Sequence, residues 1–257
     1  MGYLSAGLCA LFTDQIPVGS GASIEVPGSV RIRLSTVFGN RRIHHLMDPY
    51  LQPGRVIVDV GANIGVNTVY AAQRVGRSGR VIAVEPTPDN LDVLRRNVAR
   101  NDLPQVTIAA VAAGRAHETR EFFIRGDVSA VNSFYQESVY AAVTSVVPVT
   151  VVPLDDLVDG NAHLVKIDVE GAELDVLGGM TRLLRSPALV IVAEWHPLLQ
   201  EKAGFAADAL PLALLELGFT LQGASHTRVR PVRREHIPAL IAELRRSGGP
   251  VDLLATR

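Results

Sequence analysis

The chain has 257 residues, 47% of them hydrophobic, with 22 glycines and a formal net charge of −1, which suits one large α/β domain with a full core and excludes a disordered chain. The near-neutral balance offers no electrostatic footprint for nucleic acid, and no apolar run reaches membrane-spanning length without a charge or a proline. The single cysteine, Cys9, excludes an internal disulfide framework and any multi-cysteine metal site, and points to a cytoplasmic protein.

Residues 1–50 read as an N-terminal extension, with a helix and a hairpin suited to a lid or to a homodimer contact. Its first stretch, Met1–Thr13, is apolar but lacks a basic leader region and is interrupted by Asp14, so it reads as a packed helix rather than a signal peptide. Ser23–Val26 and Val30–Leu34, split by Pro27-Gly28, read as a β-hairpin. The main domain, 51–257, opens at Pro53-Gly54 with a strand at Val56–Val60 and a helix at Ile64–Val75. A strand at Arg80–Val84, a helix from Pro88 to Asn101 and a strand at Val106–Ala112 follow. Thr119–Ile124 and Val146–Val151 read as strands around a polar loop, Gly126 to Tyr140. Leu164–Asp168 is a strand entering a helix that runs to about Leu184, and Leu189–Trp195 is the next strand. The tail predicts helices near Leu210–Leu217 and Glu235–Arg245 and strands at Phe219–Gln222 and Val251–Ala255. This alternation implies a doubly wound, mostly parallel, Rossmann-like sheet, in which ligands bind beyond the strands' carboxyl ends.

The first such strand end reads Asp59-Val60-Gly61-Ala62-Asn63-Ile64-Gly65, and a second apolar strand ends at Glu85, about 20 residues past the turn. Gly61 and Gly65 let a ligand approach the backbone, the following helix offers free N–H groups, and Glu85 suits ribose hydroxyls. The pattern predicts an adenosine-containing cofactor. Asn63 stands where a dinucleotide fingerprint needs a bare glycine for the pyrophosphate, which disfavours NAD and FAD. Asp59 suits an ammonium group, as S-adenosylmethionine carries. Gly61, Asn63 and Gly65 are expected at the methionine end, and Val111 and Ala112 beside the adenine. A tight turn in some other α/β protein is the plain alternative. The strands' carboxyl ends present Asp59, Glu85, Asp168 and Glu194, with His196 beyond, and Glu170 and Glu173 sit three apart at the helix start after Asp168. For Glu170 and Glu173, helix capping competes with a functional role. His44-His45 are adjacent and face differently, which argues against a shared metal.

The segments Val58–Gly65, Ala83–Pro86, Val152–Asp156 and Leu164–Glu173 resemble the FkbM family of S-adenosylmethionine-dependent methyltransferases. The resemblance covers roughly Gly39 to Pro197, and the pairing of its first and last segments is its specific feature. The family's usual threonine-leucine-aspartate appears as Val152-Pro153-Leu154-Asp155, a modest departure. The resemblance implies O-methylation of a hydroxyl on a sugar, glycolipid or polyketide-type small molecule. A nicotinamide-dependent oxidoreductase and a cofactor-binding scaffold without catalysis are the competing readings. Asn132, Ser133 and Tyr135 are expected to contact the acceptor. Asp168 and Glu194 are expected to hold Mg²⁺, with His196 as base or third ligand. Without a metal, His196 or Glu170 is the expected base, and Asp168 and Glu194 grip the acceptor's hydroxyls by hydrogen bonds.

Overall fold

The computed structural model describes residues 9, 11, 13–19, 21–125, 132–136, 142–224 and 229–257. It divides into two compact units, Met1–Val111 and Ala112–Arg257. Among the described residues no helix is long and apolar enough to cross a membrane.

The first unit begins with an antiparallel hairpin of β1 (Gln15–Val18) and β2 (Ala22–Glu25), registered Ile16 to Ile24. Ile16, Val18, Ala22 and Ile24 turn inward and alternate with polar neighbours, the period-two pattern of a half-buried strand. The hairpin expected at 23–34 is therefore corrected. Its first arm pairs upstream, and its supposed second arm is the start of α1 (Val30–Met47). The local alternation of Val30, Ile32 and Leu34 suggested a strand. The helix is fixed instead by its later residues, where Ile43, Leu46 and Met47 bury at spacings of three and four.

Three parallel strands then lie side by side, β3 (Val56–Val60), β4 (Arg80–Val84) and β5 (Val106–Ala109), with Asp59 level with Ala83. Helices α2 (Val66–Val75) and α3 (Pro88–Arg100) connect them. Leu91 and Leu94 of α3 pack with Ala62 and Ala83, which seats the helix behind the turn after β3. The third strand stops at Ala109, short of the expected Ala112.

In the second unit β6 (Ala112–Gly114) runs parallel to β8 (Ser145–Pro153), and β7 (Glu118–Ile124) pairs with β8 antiparallel. Ala112 thus belongs to a three-stranded sheet, where it is buried with Phe122, Phe134, Val149 and Val151. Short α4 (Leu154–Leu157) leads to β9 (Leu164–Ile167), which is parallel to β10 (Val190–Trp195). Antiparallel β13 (Val251–Thr256), β11 (Thr220–Ala224) and β12 (Val229–Val232) extend β10 in that order. Helices α5 (Glu173–Gly178), α6 (Pro197–Lys202), α7 (Ala209–Glu216) and α8 (Ile237–Ser247) complete the unit. The helix expected to reach Leu184 ends six residues earlier, at Gly178-Gly179. A Cβ built on Gly179 would lie 1.8 Å from the Gly114 carbonyl oxygen. The α/β, Rossmann-like class expected from the sequence is the class observed, with its parallel pairs at β3–β4–β5 and β9–β10.

Candidate functional site

The turn after β3 is built by main-chain hydrogen bonds that the sequence makes affordable. The N–H groups of Gly61 and Ala62 both donate to the Val84 carbonyl at 3.0 Å, and Gly65 N–H donates to Ala62 at 2.8 Å. Asn63 and Gly65 both adopt left-handed backbone, at φ 49° and 92°. Asparagine tolerates that region because its side chain bonds locally, and here Asn63 Oδ1 accepts the Ile64 N–H at 2.7 Å. This is the physical reason for asparagine at the position where a dinucleotide fingerprint has glycine. At Gly65 a Cβ would sit 2.5 Å from Leu94 Cδ1, so the helix packs where a side chain would stand.

Two acids flank this turn. Asp59 is buried at 1% exposure and accepts the Thr68 hydroxyl at 2.6 Å. Glu85 is buried at 4% exposure. Its Oε2 accepts the Asn63 N–H at 2.9 Å, and its Oε1 accepts Thr87 N–H at 3.0 Å and Asn90 Nδ2 at 3.1 Å. One lone pair of Oε2 remains for a ligand hydroxyl. Nearby in sequence, Thr87 Oγ1 and Asn67 Oδ1 are buried with no hydrogen-bond partner among the described residues. Buried polar atoms are nearly always paired, so these two fit a polar ligand beside the turn. No sequence pattern marks either: Thr87 stands just before α3, and its hydroxyl makes no cap bond. Of the two residues expected beside the adenine, Val111 closes the first unit, while Ala112 is core of the three-stranded sheet.

A second constellation forms after β9. Glu170 has φ 55° and Gly171 φ 105°, consecutive left-handed residues between a strand and a short helix. A non-glycine residue there is strained and persists only when its surroundings hold it. Glu173 supplies the hold. Its carboxylate accepts N–H bonds from Gly171 at 3.0 Å and Val169 at 3.4 Å, and Gln200 Nε2 donates to it at 2.5 Å. Glu173 and Gln200 are both buried. The result brings Asp168, Glu170 and Glu194 together, with one carboxylate oxygen of each within 4.8 Å of the others. Lys166, itself buried, places Nζ 3.5 Å from Asp168 Oδ2.

Burial and the neighbouring charges of Asp168 and Glu173 hold the Glu170 carboxyl well above the usual range. Burial, then Asp168, Glu170 and Asp252, does the same to Glu194. Burial also raises Glu173, to about 7, against the hydrogen bonds it accepts. Crowded carboxylates of this kind take up protons or a cation, because they cannot all ionise unaided. The third side chain brought to Asp168 and Glu194 is thus Glu170 rather than His196. His196 is the residue before α6, buried at 4% exposure, and its carbonyl accepts from Leu199 at 3.0 Å and Gln200 at 3.1 Å. Burial lowers its imidazole below the ordinary value, against backbone hydrogen bonds that raise it.

The residues expected to touch the acceptor have protein partners. Asn132 Oδ1 accepts the Arg125 N–H at 2.8 Å, and Ser133 Oγ accepts from the Arg125 guanidinium at 3.0 Å. Arg125 is fully buried and also donates to the carbonyls of Phe123, Tyr135 and Gln136. It is the hub of the 132–136 segment, and no local pattern marks it, because its partners are mostly main-chain oxygens. Tyr135 is partly buried, and its ring carbon Cε2 would lie 3.4 Å from a Cβ on Gly171. Residues 126–131 and 137–140 of the expected loop, Gly126–Tyr140, lie outside the described residues. His44, buried on α1, stacks on Tyr70 at 3.5 Å while His45 is exposed, so the pair does face two ways.

The chain is similar to known methyltransferases. The family model described as the methyltransferase FkbM domain matches residues 59–221. A hexuronic acid methyltransferase, AglP of Haloferax volcanii, is 29% identical over 164 residues, covering 62% of this chain and 64% of its own length. A protein-L-isoaspartate O-methyltransferase of Aeropyrum pernix is 33% identical over 99 residues, covering 38% of this chain and 34% of its own. The crystal structure of methyltransferase FkbM from Methylobacillus flagellatus aligns at 17% identity and a TM-score of 0.48, over 98% of this chain and 58% of that one. The chain spans less than two thirds of the length of each of these three. With the family model matching well over half of its residues, this chain belongs to the FkbM methyltransferase domain family.

Proposed function

We propose that the protein is an S-adenosylmethionine-dependent O-methyltransferase acting on a hydroxylated small molecule of the sugar, glycolipid or polyketide class. The observation that carries this reading is the turn at 59–65 with Glu85. It offers a buried carboxylate with one lone pair open, an unpartnered Thr87 hydroxyl and main chain without a side chain at Gly61. Asn63, left-handed and bonded to Glu85, leaves no bare glycine for a pyrophosphate, which separates this reading from a nicotinamide oxidoreductase. Asp59 supplies the negative charge for the amino group, and Val111 borders the adenine.

S-adenosylmethionine supplies an electrophilic methyl group when bound. The chain's own task is to align an acceptor oxygen with it, exclude water and take up the acceptor's proton. Asp168, Glu170 and Glu194 are the donor set for that task, and three clustered oxygens with part-exposed carriers suit Mg²⁺, which keeps several waters. A divalent ion held there would lower the pKa of an acceptor hydroxyl. The cluster favours this reading over one in which Glu170, with its raised pKa, or buried His196 takes the proton alone. Tyr135 borders the acceptor. The hexuronic acid named for the Haloferax relative has hydroxyls and a carboxylate, so the product bond is part of the test.

Calorimetry with S-adenosylmethionine, S-adenosylhomocysteine and NAD tests the cofactor: binding of the first two without NAD is expected, and the reverse overturns the reading. A panel of sugars and uronic acids, read by S-adenosylhomocysteine release, tests catalysis. An alkali-stable product marks an ether and an alkali-labile one an ester. Binding with no turnover on any acceptor favours the scaffold reading. Full activity after exhaustive EDTA, with no Mg²⁺ response, removes the metal.

A further inference from the structure

Helix α3 carries an amide that joins three pieces of the first unit. Asn97 is fully buried. Its Oδ1 accepts the Glu25 N–H at 2.6 Å, and its Nδ2 donates to the Glu25 carbonyl at 3.1 Å. The pair of bonds imitates the exchange between neighbouring strands, so a helix side chain serves as the next rung for β2. The second Nδ2 hydrogen goes to the Ile64 carbonyl at 2.8 Å. Both hydrogens and one lone pair of the amide are then committed, so its orientation is fixed. Asn101, one turn on, makes the same two-way pairing with Ser23 at 3.0 and 2.7 Å, but reaches no part of the turn.

The Ile64 carbonyl sits between the two left-handed residues of the turn, Asn63 and Gly65. The N–H groups of residues 63, 64 and 65 are held by Glu85, Asn63 Oδ1 and the Ala62 carbonyl. Asn97 adds the restraint on the Ile64 carbonyl, and the hairpin keeps the Asn97 amide in place. We propose that Asn97 is a positioning residue that couples the β1–β2 hairpin to the cofactor turn, so that cofactor binding and hairpin order support each other. The inference rests on the cofactor reading above and deepens it. Linkage makes the coupling reciprocal: what stabilises the turn for ligand also stabilises the hairpin.

The test is calorimetry of S-adenosylhomocysteine with the full chain and three variants. Asn97→Ala loses all three bonds. Asn97→Asp keeps the acceptor for Glu25 N–H but loses both donors and opposes a carboxylate to two carbonyls. Asn101→Ala loosens the hairpin alone. The Asn97 variants are expected to bind about tenfold more weakly than the natural chain, and Asn101→Ala, which loosens the hairpin but keeps the Ile64 bond, only about two- to threefold more weakly. Equal binding by all three, or a loss with Asn101→Ala matching that with Asn97→Ala, overturns the proposal. Because the Asn97 variants are open to misfolding, hydrogen exchange on the unaltered chain is the second arm. Saturating S-adenosylhomocysteine is expected to slow exchange of the Ser23 and Glu25 amides, and unchanged exchange there overturns the coupling. A natural chain that binds no S-adenosylhomocysteine overturns the cofactor reading and this inference together, whereas normal binding with unaffected Asn97 variants overturns this inference alone.

Discussion

Glu85 accepts three hydrogen bonds from the protein, from Asn63, Thr87 and Asn90, and keeps one lone pair of Oε2 for a ligand. On the proposed cofactor reading, Glu85→Ala removes a ligand contact as well as the anchor of the turn. The expected loss of S-adenosylhomocysteine affinity is about 1.5–3 kcal/mol, the range for hydrogen bonds to a charged group. Calorimetry checks it, and an unchanged affinity would move the ribose elsewhere. Glu173 gives a prediction of opposite character, on stability and pH. Burial lifts its carboxyl from the usual 4.5 to about 7. Below 4.5 it is protonated whether the chain is folded or not. Between 4.5 and about 7 the folded chain holds a proton that the unfolded chain has released, so stability falls as pH rises through that window and is level above it. Glu173→Gln cannot ionise and still accepts N–H bonds through its amide oxygen. Urea denaturation across the window should show a shallower fall in the variant than in the natural chain, and equal slopes would remove Glu173 as the source. Asp59, Glu85, Asp168 and Glu194 were legible as residues, since each lies at or just past the end of an apolar strand. Arg125, Gln200 and Asn97 were not, because a buried polar side chain announces nothing until its partners, here largely main-chain atoms, come into reach.

At the level of elements, two glycines separate two kinds of constraint. Gly65 opens α2 at φ 92°, and a Cβ there would meet the end of a flexible leucine, Leu94. Gly179 has ordinary negative φ at −96°, but a Cβ there would lie 1.8 Å from a main-chain oxygen of β6. Leucine can turn aside, whereas a strand carbonyl cannot. Gly65→Ala should then cost about 1–2 kcal/mol, mostly from left-handed backbone. Gly179→Ala should cost at least the upper end of the about 1–3 kcal/mol range for overpacking. Chemical denaturation of both variants checks the order, and a smaller loss at Gly179 would contradict the close approach of α5 to β6. The parallel strands and their helices were readable from the pattern of apolar residues, because β3, β4, β9 and β10 are nearly continuous buried runs. The hairpin was misassigned for a related reason. Val30, Ile32 and Leu34 alternate like a strand, but the segment continues into residues that bury with helical spacing, and the longer pattern decides.

Across the whole molecule, the acid cluster sets stability against chemistry. Asp168, Glu170 and Glu194 crowd together, and burial with like charge opposes ionisation of the last two. Glu194→Gln relieves that repulsion, so the variant should melt at a higher temperature than the natural chain at neutral pH without added metal. Mg²⁺ should raise the melting temperature of the natural chain, because a ligand bound only to the folded state stabilises it, and should do so less for Glu194→Gln. Scanning calorimetry reads both effects, and equal Mg²⁺ responses would exclude Glu194 as a ligand. By itself, the sequence determined the α/β class, the turn at 59–65, the acid at 85 and the FkbM family, because these are written in contiguous residues whose spacing follows local geometry. Only the tertiary structure decided that Glu170 rather than His196 joins Asp168 and Glu194, that Asn132 and Ser133 hold Arg125, that Ala112 is core, and that Asn97 ties the hairpin to the turn. Those outcomes depend on contacts between residues distant in the chain, and on competition for a limited number of buried hydrogen-bond partners, which no local pattern encodes.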